Sequence, residues 1–319
     1  YRRKLDALAG ALRRSFNRVH TTGLTQDGRF ERIRGSNSYR DNVPLQEFGY
    51  DLPATGDASI VVNVEDTSSG EVTQHKITGL DTTQGARDLV QQVADSLDSV
   101  NHLNASEDGG SLLLEADSGW AFGFATPYDP NPVGSFSAVS PPPVNVNGKF
   151  QGKEDLQYDI SFPDDGAVGD DVLHLDIDVR DTSGNLLRSF TRTLDEGWTS
   201  TDELSLDNGL SIRIGSGEIT GGDSVSFTAR ASMDEAGLLD PLGIHTFFDG
   251  VDAGGIHVRE ALAENPMNLS TSIQPMTGDN DRVLDLIQLE GERRVNSMDF
   301  HDYYRDLVGH IATTRNNRA

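Results

Sequence analysis

The sequence predicts an α+β multidomain protein: a helical base built from both chain ends carries an inserted α+β unit and an inserted antiparallel β-sandwich or barrel. Three observations predict it. Apolar residues recur at helical steps in the opening and closing segments of the chain. Between 45 and 128 the patterns run strand, strand, helix, strand, strand. From 156 to 229 apolar and polar residues alternate in strand after strand, with no helical pattern between them. The expected domains are 1–42 with 240–319 for the base, 43–140 for the α+β unit and 141–239 for the β unit.

The chain opens YRRKLDALAGALRRSFNRVH, in which Leu5, Leu8, Leu12, Phe16 and Val19 fall on one helix face. Arg2, Arg3, Arg13, Arg14 and Arg18 are expected largely elsewhere on its surface. At the other end Phe300, Tyr304, Leu307 and Ile311 repeat at coiled-coil-like spacing. Ahead of them, DNDRVLDLIQLEGERRVNS places Val283, Leu286 and Ile287 on one face, a stripe that Glu290 breaks, with Asp279 or Asn280 as its cap. No helix of this kind hides its stripe alone, because each large apolar side chain contributes roughly 1.5–3 kcal/mol when buried. The simplest solution packs the first helix on the last, with both termini at one end.

In the middle, ASIVVNVED alternates through Ile60, Val62 and Val64, and EVTQHKIT follows after SSG as the second arm of a hairpin. TTQGARDLVQQVADSLDSV puts Leu89, Val93, Leu97 and Val100 on one helix face. SLLLEAD and WAFGFAT then read as strands, the second alternating through Trp120, Phe122 and Phe124. YDPNPVGSFSAVSPPPV reads as a linker. Beyond it come DLQYDISF, VLHLDIDV, SFTRTL, LSIRIG and SVSFTARA, each with one face to bury and one to wet, punctuated by turns such as DTSGN and TGGD.

Charge is unevenly placed along the 319 residues, whose net charge is −25. Residues 1–40 hold ten Lys/Arg against three Asp/Glu, and 291–319 hold five against four, which leaves eleven against 44 in 41–290. So acidic a body argues against nucleic acid, whose phosphates need cations, and against anionic membrane surfaces. It fits a salty environment or simply a solubilising surface. There is no cysteine, which excludes disulfides, thiolate nucleophiles and Cys-ligated zinc. No apolar run approaches the roughly 20 residues that span a bilayer.

Catalytic patterns are missing. There is no GxGxxG after a strand, no GxxxxGK[ST], no HExxH and no GxSxG. The eight His are scattered, and His301 and His310 are too far apart on one helix to share a metal. In HLDIDVRDTSGN, Asp176, Asp178, Asp181 and Asn185 offer oxygen ligands near a turn, as Ca²⁺ prefers, without EF-hand spacing. Asp176 and Asp178 also fall where a solvated strand face puts them.

The terminal segments carry a family pattern. LDALAGALRRSFNRVHTTG resembles the flagellar hook-associated protein 1 family, in which a leucine-rich helix ends in a Phe-Asn-x-x-His-x-x-Gly turn, here Phe16, Asn17, His20 and Gly23. HTFFDGVDAGGIHV is similar to its Phe-Phe-x-Gly element and short strand, here Phe247, Phe248, Gly250, Ile256 and Val258. ALAENPMNLSTS resembles the following short helix and Asn-Pro turn, and GDNDRVLDLIQLE its Gly-Asp-Asn helix start, here Gly278, Asp279 and Asn280. FHDYYRDLVGHIATTRNNRA is similar to its closing helix, with Val308-Gly309 as the Val/Ile-Gly step. The resemblance covers about 1–40 and 240–319.

What the resemblance implies is a structural protein, not an enzyme, with no cofactor, catalytic or metal site. It implies the adaptor between hook and filament, whose inner helical parts touch tube neighbours while the β domains face outward. The implied partners are copies of itself, the hook protein, the second hook–filament junction protein and an export chaperone near the C-terminus. The implied location is the extracellular flagellum, reached unfolded and without a cleaved signal peptide. It also implies that this chain is a fragment lacking the terminal coiled-coil segments. Flagellin or the second junction protein is the alternative within the class. An extracellular β-sandwich binding glycan or Ca²⁺, or a hydrolase with a discontinuous site, stands outside it.

Overall fold

A computed structural model describes residues 1–274 and 278–316. Helix α1 (Arg2–His20) is followed by a short strand, β1 (Arg32–Arg34). Then come the hairpin β2 (Ala58–Asp66) and β3 (Val72–Leu80), helix α2 (Ala86–Asp98), and strands β4 (Leu103–Asp108), β5 (Ser111–Ala116) and β6 (Trp120–Gly123). The strands form two three-stranded sheets, β3-β2-β6 and β1-β5-β4. Leu89, Val93 and Leu97 of α2 share one core with Ile60, Val62, Val64, Leu112, Leu114 and Phe122. Strands β1 and β4 have no apolar stripe of their own. Antiparallel pairing to β5 makes them strands.

The β unit contains β7 (Gly134–Ser135), β8 (Val144–Gly148), β9 (Leu156–Ser161), β10 (Gly166–Ala167), β11 (Leu173–Arg180), β12 (Leu186–Leu194), β13 (Leu204–Ser205), β14 (Leu210–Ile214), β15 (Glu218–Ile219) and β16 (Ser224–Ala229). A five-stranded sheet, β12-β11-β9-β16-β7, and a three-stranded sheet, β13-β14-β8, contribute alternate residues to one core. Tyr158 and Ile160, Leu175, Ile177 and Val179, and Val225 and Phe227 come from the first, and Val144, Val146, Leu210, Ile212 and Ile214 from the second. The result is a sandwich; among the described residues no sheet closes into a barrel. The Pro-rich stretch read as a linker belongs to it. Tyr128 is fully buried and donates its hydroxyl to Gly148 O (2.5 Å), and β7 pairs with β16. Hydropathy misses this stretch because a two-residue strand and two isolated aromatics, Tyr128 and Phe136, leave no period.

The chain returns through β17 (Phe248–Asp249), β18 (His257–Val258), α3 (Glu260–Glu264), α4 (Asp281–Gln288) and α5 (Phe300–Asn316). It divides into two compact units, Tyr1–Ser68, His75–Ala125 and Asp234–Ala319 in one, Ser69–Gln74 and Thr126–Met233 in the other. The α+β multidomain class is therefore the observed one. Within the first unit α1 and α5 run antiparallel. The Tyr1 ring meets His310 edge-on at 5.9 Å, Lys4 Nζ pairs with Asp306 at 3.1 Å, and Leu8 and Ala11 reach Val295, Phe300 and Tyr303.

Candidate functional site

Beside Ala9, Gly10 and Ala11, the side of α1 that disappears from solvent carries a polar stripe. Arg13, Asn17 and His20 lie three and four residues apart, hence on one face, and each is at most 1% exposed. Arg13 was expected on the surface. Burial without hydrogen-bond partners would cost several kcal/mol per group. Asn17 finds a full set, whereas Arg13 Nε and Nη2 make no hydrogen bond and rely on the charge of Asp240. Asn17 Oδ1 accepts from the amides of Phe247 (2.9 Å) and Phe248 (2.8 Å), and its Nδ2 donates to Asp240 Oδ1 (2.7 Å) and Phe248 O (2.8 Å). Next to it the Phe16 ring packs on those of Phe247 and Phe248, each at 5.4 Å. Arg13 places Nε 3.2 Å from Asp240 Oδ2 and its guanidinium 4.3 Å above the Tyr50 ring. Burial pushes the Asp240 carboxyl up, and the Arg13 charge opposes that.

The turn after α1 is tied down in the same way. His20 Nδ1 donates to His245 O (2.8 Å), while its Nε2 accepts from the Ser270 amide (3.1 Å). Ser270 Oγ donates to His20 O (2.7 Å) and therefore accepts from His245 Nε2 (2.8 Å). These partners assign both tautomers. The two rings lie 4.4 Å apart. Burial lowers His20 to about 4, a backbone hydrogen bond to His245 opposes it, and Arg259 adds to the lowering. Burial, His20 and Arg259 lower His245 well below its ordinary value. Both are neutral near pH 7, and His245 sits at φ +51°, a left-handed conformation that its hydrogen bonds hold in place.

Glycines close the interlock. A Cβ on Gly23 would stand 2.6 Å from that of Ser270, so only glycine lets α1's exit lie on the 270 segment. Gly250 has φ +84°, and a Cβ there would meet Gly255 O at 2.1 Å. Gly278, at φ +91°, turns the chain into α4. There Asp279 takes the capping role: Oδ1 accepts from the Asp281 amide (2.9 Å), and Oδ2 from those of Ile273 and Gln274 (2.9 and 2.8 Å). Asn280 occupies the N-cap position without a side-chain bond. Arg282 of α4 reaches back to Thr22 O through Nε and Nη2 (3.1 and 2.7 Å).

The apolar positions expected to pair are divided. Leu307 is 1% exposed, Phe300 and Leu8 meet in the α1–α5 seam, and Leu12 and Phe16 are half-buried. Leu5, Tyr304 and Ile311 are 40%, 54% and 40% exposed. The side of α5 that leaves solvent carries Phe300, Tyr303 and Leu307, so it keeps Phe300 and Leu307 of the stripe read from the sequence and takes Tyr303 in place of Tyr304. Tyr303 directs its hydroxyl to Lys4 O (3.4 Å).

The aspartates of 176–185 serve the fold. Asp178 pairs with Arg180 (2.6 Å), Asp176 accepts from Thr191 (2.8 Å), and Asp181 accepts from the amides of Ser183 and Asn185. Among the described residues no group of three His, Cys, Asp or Glu is placed to hold a metal, and no helix is long and apolar enough to cross a membrane.

Asp240, His245, Ser270 and Arg282 belong to the interlock and were not singled out in the sequence. The one signal for them is indirect: Arg13, Asn17 and His20 form a polar stripe that needs partners if it is buried.

No family model and no curated protein matches the chain. Among solved structures it is similar to the flagellar hook junction protein FlgK from Burkholderia pseudomallei, at 12% identity and a TM-score of 0.20 over 98% of this chain and 59% of that one. It is also similar to FlgL from Xanthomonas campestris, at 13% identity and a TM-score of 0.18 over 72% of this chain and 76% of that one.

Proposed function

We propose that this chain is a structural, non-catalytic subunit of the bacterial flagellum, the adaptor that assembles into a helical tube where hook meets filament. The observation that carries the reading is where the family-like residues fall. Phe16, Asn17, His20 and Gly23 meet Phe247, Phe248 and Ser270 in one interlock, although some 230 residues separate the two sides. Those residues therefore act together, as a shared motif should. The interlock also leaves apolar surface outside it: Tyr304, Val308 and Ile311 on one face of α5, and Leu284 and Ile287 on α4. Faces of this kind suit heterologous contacts between identical subunits, which extend into tubes.

In this reading the partners are further copies, the hook protein, the second junction protein and an export chaperone. The site of action is the extracellular flagellum. The base (1–42 with 240–319) is the part that lies toward the tube, and 43–140 and 141–239 are the further domains.

Electron microscopy of purified hooks mixed with the protein checks this. New density at one end of each hook is the expected outcome. Bare ends, or density scattered along the hook sides, would sink the junction role.

A further inference from the structure

Beside the interlock lies a half-enclosed cavity of about 180 Å³, lined among others by Phe30, Ile33, Leu262, His245, Arg32 and Arg259. None of its lining residues is a carboxylate, although the chain holds 51 Asp and Glu. Two acids stand near it. Glu115 meets Arg32 at 3.0 Å, and Asp249, which accepts from Ser36 (2.9 Å) and Thr246 (2.7 Å), also acts on the Arg259 charge. Arg259 is held rigidly, with Nη1 on Gly243 O (2.9 Å) and Nη2 on Arg34 O (3.2 Å). These bonds leave its Nε hydrogen and one Nη2 hydrogen without an acceptor among the described residues. Burial has also taken water from this guanidinium.

A fixed, partly desolvated guanidinium fork beside apolar walls is the arrangement that recognises a planar carboxylate. The volume is below the roughly 300–1,000 Å³ of drug-sized sites, which limits the ligand to a few heavy atoms. We infer that this cavity binds a small organic carboxylate, its anionic head on Arg259 and its apolar part on Phe30, Ile33 and Leu262. The site lies within one chain, so it operates whether or not the protein assembles.

The test titrates sodium benzoate into the full chain against sodium chloride at equal ionic strength, followed by amide NMR shifts and thermal unfolding. Saturable shifts around Phe30, Ile33 and Arg259, with a rise in Tm, are expected. Arg259→Gln weakens binding by about tenfold or more, the loss of a charge-assisted hydrogen bond. Should that variant fail to fold, Ala261→Phe decides, because Ala261 is an exposed lining residue. It is expected to abolish saturation and leave the ligand-free Tm unchanged. The inference is overturned if benzoate acts no differently from chloride, if Ala261→Phe binds undiminished, or if inorganic phosphate saturates the site as well as benzoate does. Any of these leaves the hook-end experiment unaffected, so the two readings fail separately.

Discussion

In the sandwich, the residues that reach the core are those that a strand period names: Tyr158 and Ile160 from β9, Leu175, Ile177 and Val179 from β11, Leu210, Ile212 and Ile214 from β14. At the interlock, the residues that leave solvent are Arg13, Asn17, His20, His245 and Ser270. The first region is held by buried apolar area, which has no direction and tolerates exchange of one aliphatic for another of similar volume. The second is held by paired donors and acceptors, which tolerate almost nothing, because each lost partner strands a buried group. Apolar area makes a domain stable. A buried polar network specifies which two segments of a long chain meet, and here it joins α1 to segments more than 220 residues away.

The largest expected effect tests that contrast directly. Asn17→Ala removes four hydrogen bonds and takes a partner from two backbone amides, a carbonyl and Asp240 Oδ1. Unfolding by denaturant should show a loss of about 3–5 kcal/mol in the first unit. Hydrogen exchange should show 126–233 still protected. A loss under about 1 kcal/mol would mean that apolar packing of Phe16 on Phe247 and Phe248 holds the ends, and the contrast would collapse.

Acid comes next. His20 is lowered by burial to about 4 in the fold, while the unfolded chain protonates it near 6.5. Protons therefore favour the unfolded state. Stability is complete above about pH 6.5 and falls as the pH drops from there toward 4, by about 2 kcal/mol at pH 5 from His20 alone. His245 acts in the same direction. Asp234, raised by burial to about 6, acts in the opposite one: it binds its proton more tightly in the fold, so it adds stability as the pH falls below 6. The clean measurement is thus a difference. The stability advantage of the natural chain over His20→Gln should shrink by about 2 kcal/mol between pH 7.5 and pH 5. A pH-independent advantage would show that His20 titrates as it does in water.

Legibility in the sequence follows the same divide. Helix α2 and strands β9, β11, β14 and β16 announce themselves because one face buries apolar side chains at a fixed period, and α1 by an apolar stripe that its fold leaves half-buried. Strands β1 and β4 do not, since pairing to β5 is what makes them strands. The interlock is invisible to hydropathy for a sharper reason. A transfer scale places Arg13, Asn17 and His20 in water, and what reverses that placement is geometry around Asp240, His245 and Ser270. Resemblance to a family marks Phe16, Asn17 and His20 as a set without saying why. The hydrogen bonds supply the reason.

The smallest expected effect concerns the two adjacent tyrosines of α5. Tyr303 is 3% exposed and Tyr304 is 54% exposed. If the fold uses only Tyr303, Tyr304→Ala should move stability by less than about 0.5 kcal/mol, as at other exposed sites. The same variant should weaken the density at hook ends if the outer face is where a neighbour docks. A loss above about 1 kcal/mol would place Tyr304 in the seam. Unchanged stability with unchanged hook binding would leave Tyr304 outside both the seam and the contact, and the docking surface would have to be sought on α4, at Leu284 and Ile287.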